Sequence, residues 1–465
     1  MIPRFARDKL DSTAFFVLVV IAAIVPLRSY DLFWHLATGH WIREQHALPL
    51  SDPFALASDR TPWVNGEWLF DVVIEPLQRM VGFAGLSILR SLFAGALFTA
   101  VYFLARRKLD EPQAGVATAI AFAGANPLLD VRPASLAPAF LVAAMALARR
   151  SLIGFLIVTI FWINVHPSAL LAPIVMLVMT RSLPRTAAAA AALFVNPFGW
   201  RAITAPLALN AFATSGAFTN AEWRWSSPLV FPLLYIAIVT GVCLFLFLKD
   251  RQLWQMMLFA GLAVLAVLHV RHQPLFFAAF PLLLPRFGVA RWPAHAITCS
   301  MLVLAIVVAP HHIGLSPHRW PISAVERLKA SGLRGNIYNP DQFGGFLIWS
   351  FYPERRTLTD GRNELYRTFI AEYARARNDQ RAWDALLSRY RIDLAVDEYR
   401  SGRVPVMNTV TKRIALTPSS LVYWPRDRWA LIGYDDVGMV FARRSAFAPE
   451  VLQRWEIRGV LPDAR

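Results

Sequence analysis

The sequence predicts an all-α polytopic membrane bundle of about eleven transmembrane helices with a C-terminal extracytoplasmic α/β or α+β domain, and three observations predict it. The 465-residue chain is 56% hydrophobic with a mean hydropathy of +0.43 and a formal charge of +16, a combination unsuited to a soluble domain of this length. Its Lys and Arg stand in short clusters between apolar runs, which is the pattern of membrane topology and argues against a nucleic-acid partner. From His311 onward the apolar runs stop and a mixed polar sequence begins, long enough for one domain.

Residues 1–29 join a basic start (Arg4, Arg7, Lys9) to an apolar core, with no small-residue cleavage pattern after it, and read as an uncleaved first span. Further apolar runs lie near 82–105, 113–128, 134–148, 151–165, 167–180, 186–198, 228–248, 252–269, 273–285 and 295–310. Basic clusters (Arg106/Arg107/Lys108, Arg149/Arg150, Arg181/Arg185, Lys249/Arg251 and Arg286/Arg291) occupy every second connection, which predicts a cytoplasmic N-terminus and an extracytoplasmic C-terminus. The division expected is a membrane domain over 1–310, with 29–81 as its first outer loop, and a soluble domain over 311–465. Cys243 and Cys299 both fall in apolar runs, so no disulfide framework is expected.

The outer loop opens on YDLFWHLATGHW (30–41), read as an amphipathic helix lying on the membrane surface, with Asp31 and His35 one turn apart. A turn at SDPF (51–54) and a second interfacial segment at WVNGEWLFD (63–71) follow. In the C-terminal region a helix is expected over 321–331, then strand-like NIYN, GGFLIWSF as a strand leading through a loop to the DGR turn, and a helix over about 363–390. Strand-like IDLAVDEY (392–399) and a hairpin over WALIGYDDVGMVFARR complete it.

The unusual polar residues map to one face of the predicted membrane. Asp31, His35, Asp52, Glu67, Asp130, Arg132, His166, Glu222, Arg271 and His272 come from segments far apart in sequence, and ionisable groups near a bilayer mark a site unless paired. Each has a plainer reading: Asp31 as an interfacial residue, Asp52 before Pro53 as a turn residue, His166 as a cap, the arginines as headgroup contacts. Arg132, His166, Arg271 and His272 suit a phosphate, whereas Asp31 is the candidate base, with His35, Asp52, Glu67 and Glu222 in support. Arg90, well inside the second span, requires a carboxylate or carbonyl partner. Asp31, His35, Asp52 and Glu67 offer the ligand types a divalent cation takes, with no tight motif for one, so no cofactor is assigned.

YDLFWHLATGHWI, LPLSDPF, PWVNGEWL, VRP, WINVH, NPFG, EW and GGFLIWSFYPERRTLTDGRNELY, in that order, resemble a broadly bacterial family of polytopic membrane proteins related to the GT-C glycosyltransferases. The resemblance implies a multi-pass plasma-membrane enzyme that transfers a sugar from a polyprenyl-phosphate donor to a glycan, lipid or protein acceptor. An acidic residue soon after the first span acts as base in such enzymes, and Asp31 occupies that position. The chain lacks the adjacent acidic pair of the best-known members, since Tyr30 and Leu32 flank Asp31. A flippase of lipid-linked substrates and a non-catalytic assembly protein of envelope polysaccharide synthesis are the competing readings.

Overall fold

The apolar runs do fold as helices, and their lengths correct the membrane-bundle expectation. The computed structural model describes residues 13, 15–216, 220–288, 291–399, 403–407 and 411–460; the basic start at Arg4, Arg7 and Lys9 lies outside them. In chain order the helices are α1 (15–22), α2 (Leu32–Gln45), α3 (Trp68–Ala105), α4 (Glu111–Ala125), α5 (Ala137–Leu147), α6 (Leu152–Val165) and α7 (Leu171–Thr180). They continue with α8 (Leu183–Ala192), α9 (Arg201–Thr214), α10 (Pro232–Phe247), α11 (Leu253–Leu268), α12 (Gln273–Leu283) and α13 (Arg291–Val308). The C-terminal region adds α14 (Ile322–Ser331), α15 (Asp341–Phe351), α16 (Arg367–Ala376), α17 (Gln380–Arg389), α18 (Ser419–Tyr423) and α19 (Pro449–Trp455).

Among the described residues only α3 is long and apolar enough to cross a membrane, so an eleven-helix transmembrane bundle is not what the chain forms. Short 3-10 turns at Asn126–Leu128, Pro133–Ser135, Pro167–Leu170 and Val270–His272 cut the apolar runs into shorter pieces. The 11-residue α12 reaches only ~16 Å at 1.5 Å per residue, about half of a ~30 Å hydrocarbon layer. Even α3 is two helical arms, because Gly82 sits at φ 66° and only glycine adopts that conformation without strain. Hydropathy reads composition and is blind to these breaks.

Two units result, one holding the described part of Met1–Ser29 with Val64–Leu315, the other Tyr30–Trp63 with Ser316–Arg465. The first outer loop is therefore divided between them at Trp63.

The first unit is helical, with α12 packed on α4, α11 and α5. Phe98, Phe122, Phe155, Trp162, Phe276 and Phe277 are among its fully buried side chains. Phe277 lies directly on the backbone of α4 at Gly124, where a Cβ would come within 2.2 Å of the ring. Arg90 finds the carbonyl partners it requires: the Ala23 oxygen, Asn126 O at 2.7 Å and Leu129 O at 2.9 Å. Asp130 completes the same clamp by accepting the Arg28 amide at 2.8 Å and the Val131 amide at 2.7 Å, and is spent on structure. The outer surface is apolar, with Met80, Ile153 and Phe247 between 74% and 82% exposed.

The second unit is built on a four-stranded sheet of β1 (Asn336–Tyr338), β2 (Ile392–Glu398), β5 (Trp429–Tyr434) and β6 (Gly438–Arg443), in the order β1-β2-β6-β5. β1 and β2 run parallel, the other neighbours antiparallel, and β3 (Arg403–Met407) pairs separately with β4 (Ile414–Pro418). Two expectations change here. GGFLIWSF lies within helix α15, because a short, mostly buried apolar run carries too little periodicity to separate strand from helix. α2 is no surface helix either: Leu32 through Gly39 are all buried. It packs on α15, where a Cβ at Gly345 would lie 3.0 Å from Tyr30 O and 3.1 Å from Trp34 N. Phe33 closes the contact edge-on against Trp320 at 5.2 Å and Phe346 at 5.0 Å.

Candidate functional site

In the first unit three connections converge. The 126–135 turn supplies Arg132, the Ala221–Trp223 turn supplies Glu222 and Trp223, and the Val270–His272 turn supplies Arg271 and His272. The backbones are tied by Val270 N to Arg224 O at 3.1 Å and Ser226 N to Val267 O at 2.8 Å. Arg132 forms an ion pair with Glu222, while the Arg271 guanidinium lies 4.5 Å from the centre of the Trp223 ring. His269 Nδ1 is 2.8 Å from Trp223 O, and its ring stands 5.7 Å from that of His272.

Charges in this cluster are set by burial against the two guanidiniums. Burial pushes the Glu222 carboxyl up, but Arg132 and then Arg271 overcome it and hold the group below the usual carboxylate range. His272 moves to about 3, first through burial and then through the positive field of Arg271 and His269, so it is neutral at physiological pH. Two guanidiniums, a single carboxylate counterion and a neutral imidazole make a site for an oxyanion: forked donors for its oxygens, and a hydrogen-bonding ring that carries no charge of its own.

Glu67 and His166 are brought together elsewhere in this unit, with His166 Nε2 at 3.8 Å from Glu67 Oε1. The other ring nitrogen of His166 accepts the Ser168 amide at 3.2 Å and lies 2.7 Å from Ser168 Oγ, a helix-start cap. Glu67 is oriented from its own side, since Asn65 Oδ1 accepts the Glu67 amide at 3.2 Å.

The second unit holds Asp31, His35 and Asp52. Asp31 is half-buried at the head of α2, and its Oδ1 accepts the Trp34 indole N–H at 3.3 Å. That same oxygen would stand 3.2 Å from a Cβ on Gly361 of the DGR turn. His35 is buried, its ring 3.6 Å from that of Trp34. Asp52 belongs to a network that sequence reasoning did not assemble. Its oxygens accept the amides of Phe54 at 3.0 Å and Ala55 at 3.3 Å, Arg362 Nη2 at 3.0 Å and the Tyr366 hydroxyl at 3.2 Å. Arg362 also donates from Nε to Asp360 Oδ1 at 2.8 Å, and Tyr366 donates to Asp360 Oδ2 at 2.6 Å. The guanidinium is 2% exposed and covered by Trp63 at 4.6 Å and Phe54 at 5.4 Å. Burial pushes the Asp360 carboxyl up, but Arg362 and the Tyr366 hydroxyl hold it below its ordinary value.

Asp52 is thus a structural residue, and this removes it from the set that offered divalent-cation ligands. Among the described residues no three His, Cys, Asp or Glu side chains gather as a cation site would require. Asp31 belongs to the second unit, and Arg132, His166, Arg271 and His272 belong to the first. The residues of this cluster not singled out from sequence are Trp223 and His269, whose only signal is their place in the chain beside Glu222 and Arg271.

The architecture has solved counterparts. The structure superposes on the oligosaccharyltransferase of Archaeoglobus fulgidus in its apo form with a TM-score of 0.55 at 9% identity, covering 83% of this chain and 69% of that chain. The same enzyme tethered to an acceptor peptide containing the NVT sequon gives 0.55 at 10% identity, over 88% and 74% of the two chains. The chain has an oligosaccharyltransferase-like fold. At this identity the likeness concerns the fold alone. No protein-family model and no curated protein sequence matches the chain.

Proposed function

We propose that this protein is a membrane-bound GT-C-type glycosyltransferase that moves a sugar from a lipid-phosphate donor, of the polyprenyl kind, to an extracytoplasmic acceptor in the bacterial envelope. The observation that carries the reading is the meeting of Arg132, Arg271, His269 and His272 around Glu222, three distant connections assembled into an oxyanion site. The apolar outer surface of the helical unit supports contact with lipid.

In the reaction proposed, an acceptor hydroxyl or amine attacks the anomeric carbon and the bond from that carbon to the lipid-phosphate oxygen breaks. The electron pair leaves with the phosphate, whose growing charge Arg132 and Arg271 neutralise. The acceptor proton passes to a carboxylate, for which Asp31 is the assigned residue.

The two assignments are tested separately. Asp31→Asn is expected to abolish transfer from a radiolabelled polyprenyl-phosphate sugar while donor binding and expression stay intact; unchanged transfer sinks the base assignment. Arg132→Gln with Arg271→Gln is expected to weaken donor binding, and full retention of it overturns the phosphate site. Recovery of the protein in the soluble fraction after cell lysis would end the membrane reading.

A further inference from the structure

A second basic feature lies apart from the Arg132 cluster, in the connections after α5 and α7 and at the start of α11. Arg149 follows α5, Arg181 follows α7, Arg185 is in the first turn of α8, and Gln252, Leu253 and Trp254 open α11. These residues line one open cavity of about 530 Å³, and no acidic side chain lines it. Further basic connections are tied in alongside it. Lys108 Nζ donates to Gln255 at 3.0 Å, and Arg286 Nε donates to Lys108 O at 2.7 Å, so the ends of α3 and α12 meet the start of α11.

One arginine of the cavity is already held in place. Arg149 Nε donates to Met179 O at 2.7 Å, and its guanidinium lies 4.9 Å from the centre of the Trp254 ring. Arg181 and Arg185 are exposed and line the same cavity, with no carboxylate among its described lining residues. The lining is partly apolar as well, through Trp254 and through Leu253, which is 56% exposed. Three arginines around a cavity call for an oxyanion, and apolar side chains at its mouth call for a hydrocarbon chain attached to that anion.

We propose that this cavity binds the phosphate headgroup of an anionic phospholipid, with Arg149, Arg181 and Arg185 on the phosphate and Leu253 against the first methylenes of the acyl chains. The inference rests on the membrane reading above but on neither the transferase reaction nor Asp31. A lipid bound there anchors this basic end of the helical unit at a lipid surface and makes its stability depend on lipid charge.

The test uses the full-length protein reconstituted in nanodiscs of mixed phosphatidylcholine and phosphatidylglycerol, with retained lipid read by native mass spectrometry. The wild type is expected to keep phosphatidylglycerol selectively. Arg181→Gln with Arg185→Gln is expected to weaken that retention by roughly thirtyfold, about fivefold for each arginine near a lipid surface. Arg150→Gln, in the same connection as Arg149 but outside the cavity lining, is expected to behave as wild type. Should the double variant fail to fold, Arg185→Glu alone carries the same sign. Equal retention of phosphatidylcholine, or wild-type retention by the double variant, overturns the proposal. Protection by inorganic pyrophosphate with no phospholipid retained also overturns it and marks a soluble anion as the occupant. Membrane association scored on the same samples separates a failed lipid site from a failed membrane reading.

Discussion

Replacing Arg362 by Met removes the one cation between Asp52 and Asp360 while keeping an unbranched stem beneath Trp63 and Phe54. The pair is buried, with side-chain exposures of 2% for Arg362 and 0% for Asp360, so neither carboxylate can turn to water. Breaking a buried ion pair from one side costs about 3–5 kcal/mol, because the surviving charge is left uncompensated. Here two carboxylates survive, and Tyr366 can donate only one proton to the pair. The readout is native-state hydrogen exchange of the peptides covering 52–58 and 357–366, segments tied by the amides of Leu56 to Thr357 O at 2.9 Å and Ala57 to Leu358 O at 3.0 Å. A loss of ~3–4 kcal/mol accelerates their exchange about 10²–10³-fold. Arg362→Lys is expected to fall between, since it keeps the charge and loses the fork. Adding Asp360→Asn to Arg362→Met is expected to recover part of the loss by removing one orphaned charge. Exchange in Arg362→Met unchanged from wild type refutes the reasoning, because the network would then carry no net stabilisation.

Glu222→Gln frees the Arg132 guanidinium from its counterion and is expected to tighten binding of a phosphate-bearing donor, whereas Arg132→Gln weakens it; isothermal titration with the two variants distinguishes the signs. His272 titrates near 3 in the folded protein against 6.5 as its ordinary value, so its contribution to stability is complete above about pH 6.5 and is lost as pH falls toward 3. His272→Gln is expected to flatten that acid limb in thermal unfolding scans, and an unaltered limb counts against it. Gly344→Ala places a Cβ 2.0 Å from Thr359 O and 2.5 Å from the Asp360 Cα, a backbone clash expected to cost about 2–3 kcal/mol and to speed exchange in the 357–366 peptide.

What the sequence made legible follows from how each signal arises. The hairpin over WALIGYDDVGMVFARR forms as β5 and β6 because its turn and its apolar strands lie within one short window, and IDLAVDEY forms β2 for the same reason. The Arg132–Glu222 pair was legible as two members of one candidate set, through the cost of charge near apolar sequence. The pairing of SDPF with TLTDGR was not, because Asp52 and Arg362 are 310 residues apart and a chain read locally shows two unrelated turns. The burial of α2 was hidden for a related reason. Its partner surface is supplied by Gly345 of α15, and a glycine chosen for close approach leaves no mark on the periodicity of the helix that rests on it.

The Asp52–Arg362–Asp360 network has a consequence for Asp31. Gly361 stands between two residues of that network, and both ends of its turn are fixed, since the Arg362 amide donates to Asp360 Oδ1 at 2.9 Å and the Asn363 amide to Gly361 O at 3.0 Å. The glycine presents bare backbone to Asp31, with 3.2 Å between the carboxylate oxygen and the point a Cβ would occupy. Burial pushes the Glu364 carboxyl of the same turn upward, and the nearby Asp31 adds to that push. The charges buried in the DGR turn are spent on holding a small residue beside Asp31, so the acid is constrained on one side by Trp34 and on the other by a backbone that cannot shift without breaking the ion pair. A carboxylate held in this way keeps one orientation, which is what a base acting on a positioned acceptor requires. Under the proposed role of Asp31 as base, loosening the turn through Arg362 is expected to lower transfer even where the fold survives, and a variant with altered exchange but full activity would separate the two.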